Sequence, residues 1–177
     1  LEVDFGHVNF LDLSGMDLMA APNEFLESFP YVQRLELQAN RLVDIPTQLD
    51  EMPSLVYLDL SNNDLRLTTD EALSLARMKG LRELNLNHNP LERVPDLSQM
   101  TELGVVRLQG TGISQWPVGL ADQPRLSMVD LRDNQLTSFP EWAVNPPAEQ
   151  AATINRVLRV TELNGNPLSD QGIAQYG

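Results

Sequence analysis

Cysteine is absent from the 177 residues. Within this chain that excludes disulfides, thiolate nucleophiles and cysteine-ligated zinc. Lysine is nearly absent too: eleven of the twelve bases are Arg, and Lys79 stands alone. No apolar run approaches the roughly 18 residues that a membrane-spanning helix needs. No Gly-rich phosphate loop occurs. The opening LEVDFGHV lacks the basic and long apolar stretches of a signal peptide. It begins on Leu1 and not Met, which reads as a piece cut from a longer protein. Bases of any kind are few against 25 acids, and the net charge is −13. That argues against nucleic acid and anionic membranes as partners, since both reward clustered Lys and Arg.

What the chain has is repetition. Aligned on L-x-x-L-x-L-x-x-N-x-L, the clearest turns are Val32-Leu35-Leu37-Asn40-Leu42, Leu55-Leu58-Leu60-Asn63-Leu65 and Leu81-Leu84-Leu86-Asn89-Leu91. Leu126-Val129-Leu131-Asn134-Leu136 is a fourth clear match, and Leu103-Val106-Leu108-Thr111-Ile113 keeps the pattern with Thr for Asn. A looser turn starts at Val8 and another at Leu158. Successive starts lie 24, 23, 26, 22, 23 and 32 residues apart. This pattern and spacing resemble the leucine-rich repeat family across nearly the whole chain.

The resemblance implies an α/β solenoid: a curved horseshoe with short parallel strands on its concave face. The residues support it. Leu at the fourth and sixth positions points inward from one short strand. Asn at the ninth sits where the chain leaves the strand and can bond backbone groups that no ladder satisfies. Each turn is apolar at both ends, so only stacking buries it. Ile45-Pro46, Val94-Pro95, Trp116-Pro117 and Phe139-Pro140 recur after the eleventh position. They favour extended segments and 3₁₀ turns on the convex side, with Trp116 and Phe139 in core positions. Two insertions predict short helices. Thr68 and Glu71 form a capping box for a helix through Met78. Asn145 and Pro146 can start a second helix that runs towards Arg159. One domain covers 1–177, with a strand-like N-terminal cap over 1–7 and a C-terminal cap or junction over 163–177.

Function is sought on the strand positions that do not point inward. The third position gives Phe10, Arg34, Tyr57, Glu83, Val105, Met128 and Val160. The fifth gives Asp12, Glu36, Asp59, Asn85, Arg107, Asp130 and Glu162. Strands about 4.8 Å apart make a surface of about 30 Å, large enough for a protein partner. The expected contact residues are Arg34, Glu36, Tyr57, Asp59, Glu83, Asn85, Val105, Arg107, Met128 and Asp130. An aromatic and Arg within an apolar strip are common interface anchors. Asp12, Glu36 and Asp59 stack as an acidic ridge. Adjacent rungs would raise their pKa values or attract a cation, but a solvated face for a basic partner explains them with less. His88 has no Ser or Cys partner at a recognisable spacing. The chain reads as a monomeric binding module with no catalytic residues, metal or cofactor.

The last turn narrows the resemblance. Leu163, Asn166, Pro167, Leu168 and Ser169 are similar to the closing repeat of bacterial effectors of the novel E3 ligase type. There a leucine-rich-repeat domain precedes a cysteine-dependent ubiquitin-ligase domain. The resemblance implies substrate selection for a secreted effector acting in host cytoplasm, with ubiquitin machinery reached through a domain outside this chain. In that setting few lysines leave few sites for self-modification; a GC-rich genome is the plainer source of the same bias. A stand-alone adaptor or receptor module without ligase activity is the alternative.

Overall fold

A computed structural model describes residues 4–169. Seven strands form one parallel sheet in sequence order: β1 (Phe10–Asp12), β2 (Arg34–Glu36), β3 (Tyr57–Asp59), β4 (Glu83–Asn85), β5 (Val105–Arg107), β6 (Met128–Asp130) and β7 (Thr161–Glu162). The register follows the repeat. Leu35 sits against Leu58, Leu58 against Leu84, and Leu84 against Val106. These residues and the leucines two further on, such as Leu37, Leu60 and Leu86, are buried in one continuous core. A three-residue strand has no independent stability; stacking turn on turn supplies it.

The exit from each strand is built identically. The eighth residue of every turn has left-handed backbone: Gly15, Ala39, Asn62, His88, Gly110, Asp133 and Gly165, with φ between 55° and 80°. In the first six turns its N–H donates to the seventh-position carbonyl of the next turn, as from Ala39 to Ser61 and from His88 to Gln109. Gly and Asn take this conformation readily, while Ala39 and His88 carry a steric cost. Gly165 also has little room: a Cβ there would displace the Asp133 carboxylate and lie 3.1 Å from Asp133 N.

The ninth residue then closes the corner. Asn89 Nδ2 donates to Leu60 O at 2.9 Å and Leu86 O at 3.1 Å, and its Oδ1 accepts from Leu65 N at 3.0 Å. Asn40, Asn63, Asn134 and Asn166 form the same bridges between their turns. Thr111 reproduces only part of this. Its hydroxyl donates to Leu108 O, and Leu91 N turns to Asn89 O instead.

The crossings are mostly irregular, with 3₁₀ turns at Leu49–Glu51, Leu120–Asp122 and Ala148–Gln150. The first insertion forms α2 (Thr69–Ala76) behind the expected capping box, ending two residues before Met78. Glu71 also accepts from Ile45 N at 2.7 Å, tying the helix to the preceding turn. Two single-turn helices, α1 (Asn23–Leu26) and α3 (Glu141–Val144), were not expected.

The second insertion corrects the sequence reading. Asn145 caps the C-terminus of α3, its backbone N–H donating to Glu141 O and its Nδ2 to Glu141 Oε1, and does not start the next helix. The two prolines that follow bias their predecessors away from helical backbone, so α4 begins only at Ala151 and runs to Arg159. Val160 then lies at the end of α4, half-buried against the core, and not on the concave face. Thr161, where a leucine was expected, satisfies its hydroxyl on Val157 O. Leu1 and Val3 of the expected N-terminal strand, and the helix expected after Ser169, lie outside the described residues. Phe5 is not in a strand; its ring packs on Phe29 at 4.9 Å.

Replacing Asn89 by Leu should therefore cost about 3 kcal/mol or more. It strands two buried carbonyls and one amide, a penalty as large as the cavity left by Leu84→Ala, about 2–5 kcal/mol. Urea unfolding of the two variants checks this; a loss below 1 kcal/mol for Asn89→Leu would contradict the role of the ladder.

Candidate functional site on the strand face

The third position of the first three strands holds an ordered stack. The Arg34 guanidinium carbon lies 3.9 Å from the Tyr57 ring centre and 5.5 Å from that of Phe10. Consecutive strands put these side chains one rung apart. The aromatic faces attract the cation on both sides. Glu36, two residues on, fixes the guanidinium from the edge, accepting from Nη2 at 2.8 Å and Nε at 3.2 Å. This bond keeps Arg34 charged, holding its pKa above the ordinary value. Burial, with the Asp59 and Glu83 carboxylates adding, pushes the Tyr57 phenol above its usual range and keeps it neutral. Phe10 remains 49% exposed at the end of the stack.

Further along, charges pair across rungs. Arg107 Nε lies 3.6 Å from Glu83 Oε1. Arg132, at the seventh position, donates to Asp130 from Nε at 2.9 Å and Nη2 at 2.8 Å, and pairs with Glu162 at 3.2 Å. Burial raises the Asp130 pKa, but the hydrogen bonds from Arg132 outweigh it and hold the carboxyl below the usual range. Between these pairs, Val105 and Met128 are half-exposed.

All ten expected contact residues lie on β2 to β6, and the sheet brings them onto one face. Eight are exposed to some degree. Asp59 and Asp130 are not, at 7% and 0% exposure. The reason is local chemistry. Asp59 Oδ1 accepts from the Ser61 amide at 2.9 Å and its hydroxyl at 2.6 Å. Asp12 does the same with Ser14. Asn85 accepts from Asn87 N. A fifth-position acid or amide thus braces the seventh residue of its own strand, in the manner of an Asx turn. The recurring D-L-S at 12–14 and 59–61 carried this signal. The expected rise in the ridge's pKa values is overturned at Asp12, which the Ser14 hydroxyl and amide hold below the usual range. Sequence reasoning put Phe10 in the third-position row and Arg132 in the seventh, but left both out of the expected contact residues. Among the described residues, no three His, Asp or Glu side chains come together as a metal site.

Comparison with known proteins agrees with this geometry. A family model described as leucine rich repeat matches residues 6–65 and 30–91. Human leucine-rich repeats and immunoglobulin-like domains protein 3 is 34% identical over 113 residues, covering 60% of this chain and 10% of that protein. A leucine-rich-repeat protein of Leptospira interrogans superposes with a TM-score of 0.71 at 20% identity, over 94% of this chain and 51% of that one. The Arabidopsis receptor kinase HAESA, in complex with the peptide hormone IDA and the co-receptor SERK1, gives 0.66 at 30% identity, over 90% and 26%. This chain is a leucine-rich-repeat protein. It spans only a tenth of the length of the human relative.

The Asp130–Arg132 pair sets a pH dependence. The folded pKa of Asp130 lies below its unfolded value, so its contribution is complete above the ordinary carboxylate pKa of about 4 and is lost as pH falls through the folded value. The Tm difference between wild type and Asp130→Asn should be largest near neutrality and shrink as the buffer is taken down to about pH 2. A difference that stays constant across the acid range would show that the carboxylate charge contributes nothing.

Proposed function

We propose that this chain is a protein-recognition module whose strand face binds a partner carrying a basic segment. The observation that supports it most is the Phe10–Arg34–Tyr57 stack. It combines aromatic and Arg anchors, exposed at one end and fixed before any partner arrives. Anchors that are already ordered reduce the entropy that association consumes. The charges favour a basic partner. Arg34, Arg107 and Arg132 are each matched by an acid within the face. Asp12, exposed at the edge of the face, makes no salt bridge among the described residues, and Ser14 occupies only one of its oxygens. The structural neighbour HAESA, bound to a peptide hormone and a co-receptor, is a precedent for protein ligands on such a scaffold.

The test compares wild type with Tyr57→Ala/Arg107→Ala in affinity capture quantified by mass spectrometry, followed by titration of the captured partner. Each anchor should contribute about 2 kcal/mol or more to binding, the Tm should hold, and association should slow as salt rises. Unchanged affinity together with a lowered Tm would place these residues in the fold and not the interface.

A finer reading rests on the closing turn at Leu163–Ser169 and on the solitary Lys79: that the module selects substrates for a bacterial ubiquitin-ligase effector, secreted and acting in host cytoplasm. Lysine scarcity then limits self-modification. Joined to a ligase domain of that type, a variant carrying Arg77→Lys, an exposed position, should gain self-ubiquitination at residue 77. No gain over wild type would remove the role given to lysine scarcity. A stand-alone adaptor or receptor module shares the binding face without this last property.

A further inference from the structure

The outer edge of β1 has no neighbouring strand. β1 donates to β2 from Leu13 N, to Glu36 O at 2.8 Å, and accepts at Asn9 O from Arg34 N at 3.0 Å. The alternate residues Phe10 and Asp12 therefore turn their N–H and C=O groups the other way. Among the described residues, nothing bonds these four groups. The core is open at the same end. Leu11, Leu13 and Leu18 are half-buried, whereas Leu35, Leu37 and Leu42, their counterparts one turn on, are at 0% exposure. Unpaired backbone beside uncovered leucines is a template for a further strand.

The side chains of β1 specify what that strand carries. Laid on β1, it places one residue opposite Leu11, pointing into the core, and that residue's two neighbours opposite Phe10 and Asp12, on the concave face. The first has to be apolar. Opposite Phe10 an alternation is already running: Tyr57, Arg34 and Phe10 occupy successive rungs, with Arg34 over one face of the Phe10 ring. The ring is still 49% exposed, and a cation on its other face is attracted for the same reason. Opposite Asp12 a cation is favoured again. The carboxylate is exposed, makes no salt bridge among the described residues, and keeps one oxygen free of Ser14. The pattern that meets all three conditions is cation, apolar, cation, and it reads the same in either strand direction.

A second copy of β1 fits poorly. Paired antiparallel across a two-fold axis, its Phe-Leu-Asp would set a carboxylate against the Phe10 ring, whose face is negative. Nor does the edge ask for a further solenoid turn. Asn40 bridges back to Leu13 O, but Met16, at the ninth position of the first turn, has no amide with which to do the same. A single strand needs no such bridge.

We infer that β1 takes up, by strand addition, an extended segment of a partner protein in which one apolar residue stands between two cations. This rests on the reading of the strand face as a site for a basic segment; it places that segment at the β1 edge and gives its pattern. In such additions the main-chain hydrogen bonds supply affinity and the alternating side chains supply selectivity.

The probe is a fluorescein-labelled Thr-Ser-Arg-Val-Arg-Ser-Thr peptide, titrated into the whole chain and followed by anisotropy. Saturable binding is expected, about tenfold tighter than that of Thr-Ser-Val-Arg-Arg-Ser-Thr, which has the same charge and the wrong alternation. N-methylation of the peptide removes backbone donors and leaves every side chain in place. One version carries it on Val, whose amide faces β1 in a parallel pair; another carries it on both Arg, whose amides face β1 in an antiparallel pair. At least one of the two should bind about tenfold more weakly. Asp12→Asn, which keeps an acceptor for Ser14, should weaken binding at low salt and reduce its salt dependence. Arg107→Ala, on β5, should bind the peptide normally. Equal affinity for the two arginine peptides, or for the parent and both N-methylated forms, would overturn the assignment. A concentration-dependent dimer in sedimentation, with no peptide bound, would give the edge to a second copy and overturn it too. Capture of a partner through Tyr57 and Arg107 without peptide binding would remove the edge site and leave the face standing; peptide binding with a partner indifferent to those two residues would do the reverse.

Discussion

The structure depends on one requirement: the backbone polar groups at each strand exit are buried and must find partners outside their own turn. A strand of three residues leaves most of its backbone unpaired by any ladder. Its leucines bury apolar surface, but burial without hydrogen bonds would cost more than it contributes. The ninth-position amide resolves this because it carries both donors and an acceptor. Asn63 and Asn89 each reach carbonyls of two turns at once. The left-handed residue just before it aims the chain so that this reach is possible. Spacing of the ladder then fixes spacing of the strands, and the strands fix the rows of side chains on the concave face.

This explains why so much was legible. Leucine and asparagine recur because the same geometric problem recurs, so strand positions and register could be read directly from 32–37, 55–60 and 81–86. Thr111 is informative as an exception: where the amide is missing, Leu91 N finds a carbonyl within its own turn. The crossings obey no comparable constraint. They need only return the chain to the next strand, and irregular segments, 3₁₀ turns or helices all do so. That is why α1 and α3 were not foreseen and why Asn145 was placed at the wrong end of a helix. The same residue can start a helix through its side chain or close one through its backbone N–H, and the Pro146-Pro147 step decides between them.

The face was read correctly as a set of rows and less well as chemistry. Position tells which way a side chain points, not what it meets two residues on. Asp59 and Asp130 point outward from the pleat, yet Ser61 and Arg132 draw them into local bonds and out of solvent. The acidic ridge is therefore partly scaffolding. Arg34 shows the converse: unremarkable as one basic residue in a row, it becomes an anchor because the rungs on either side are Phe10 and Tyr57. The alternation of aromatic, cation and aromatic stood in the third-position row; the stacked turns add the contact, with the guanidinium carbon 3.9 Å from one ring centre and 5.5 Å from the other.

The two sides of the solenoid consequently differ in how they can carry function. On the strand side the register is rigid and most charges are already paired. A partner gains from shape, from the exposed end of the aromatic stack and from the carboxylate oxygens left over, more than from new ion pairs, whose desolvation would offset much of their attraction. On the crossing side, length and sequence vary freely between turns. The fifth and sixth turns use that freedom to bring Trp116, Phe139 and Trp142 together, and the insertion that forms α4 packs beside them. Arg156 on that helix donates to Gln123 O and Leu126 O, anchoring the longest departure from the repeat to the turn before it. A solenoid built this way can hold its strand face constant through its ladder while its crossings vary, because a change in one turn's crossing leaves the strand register untouched.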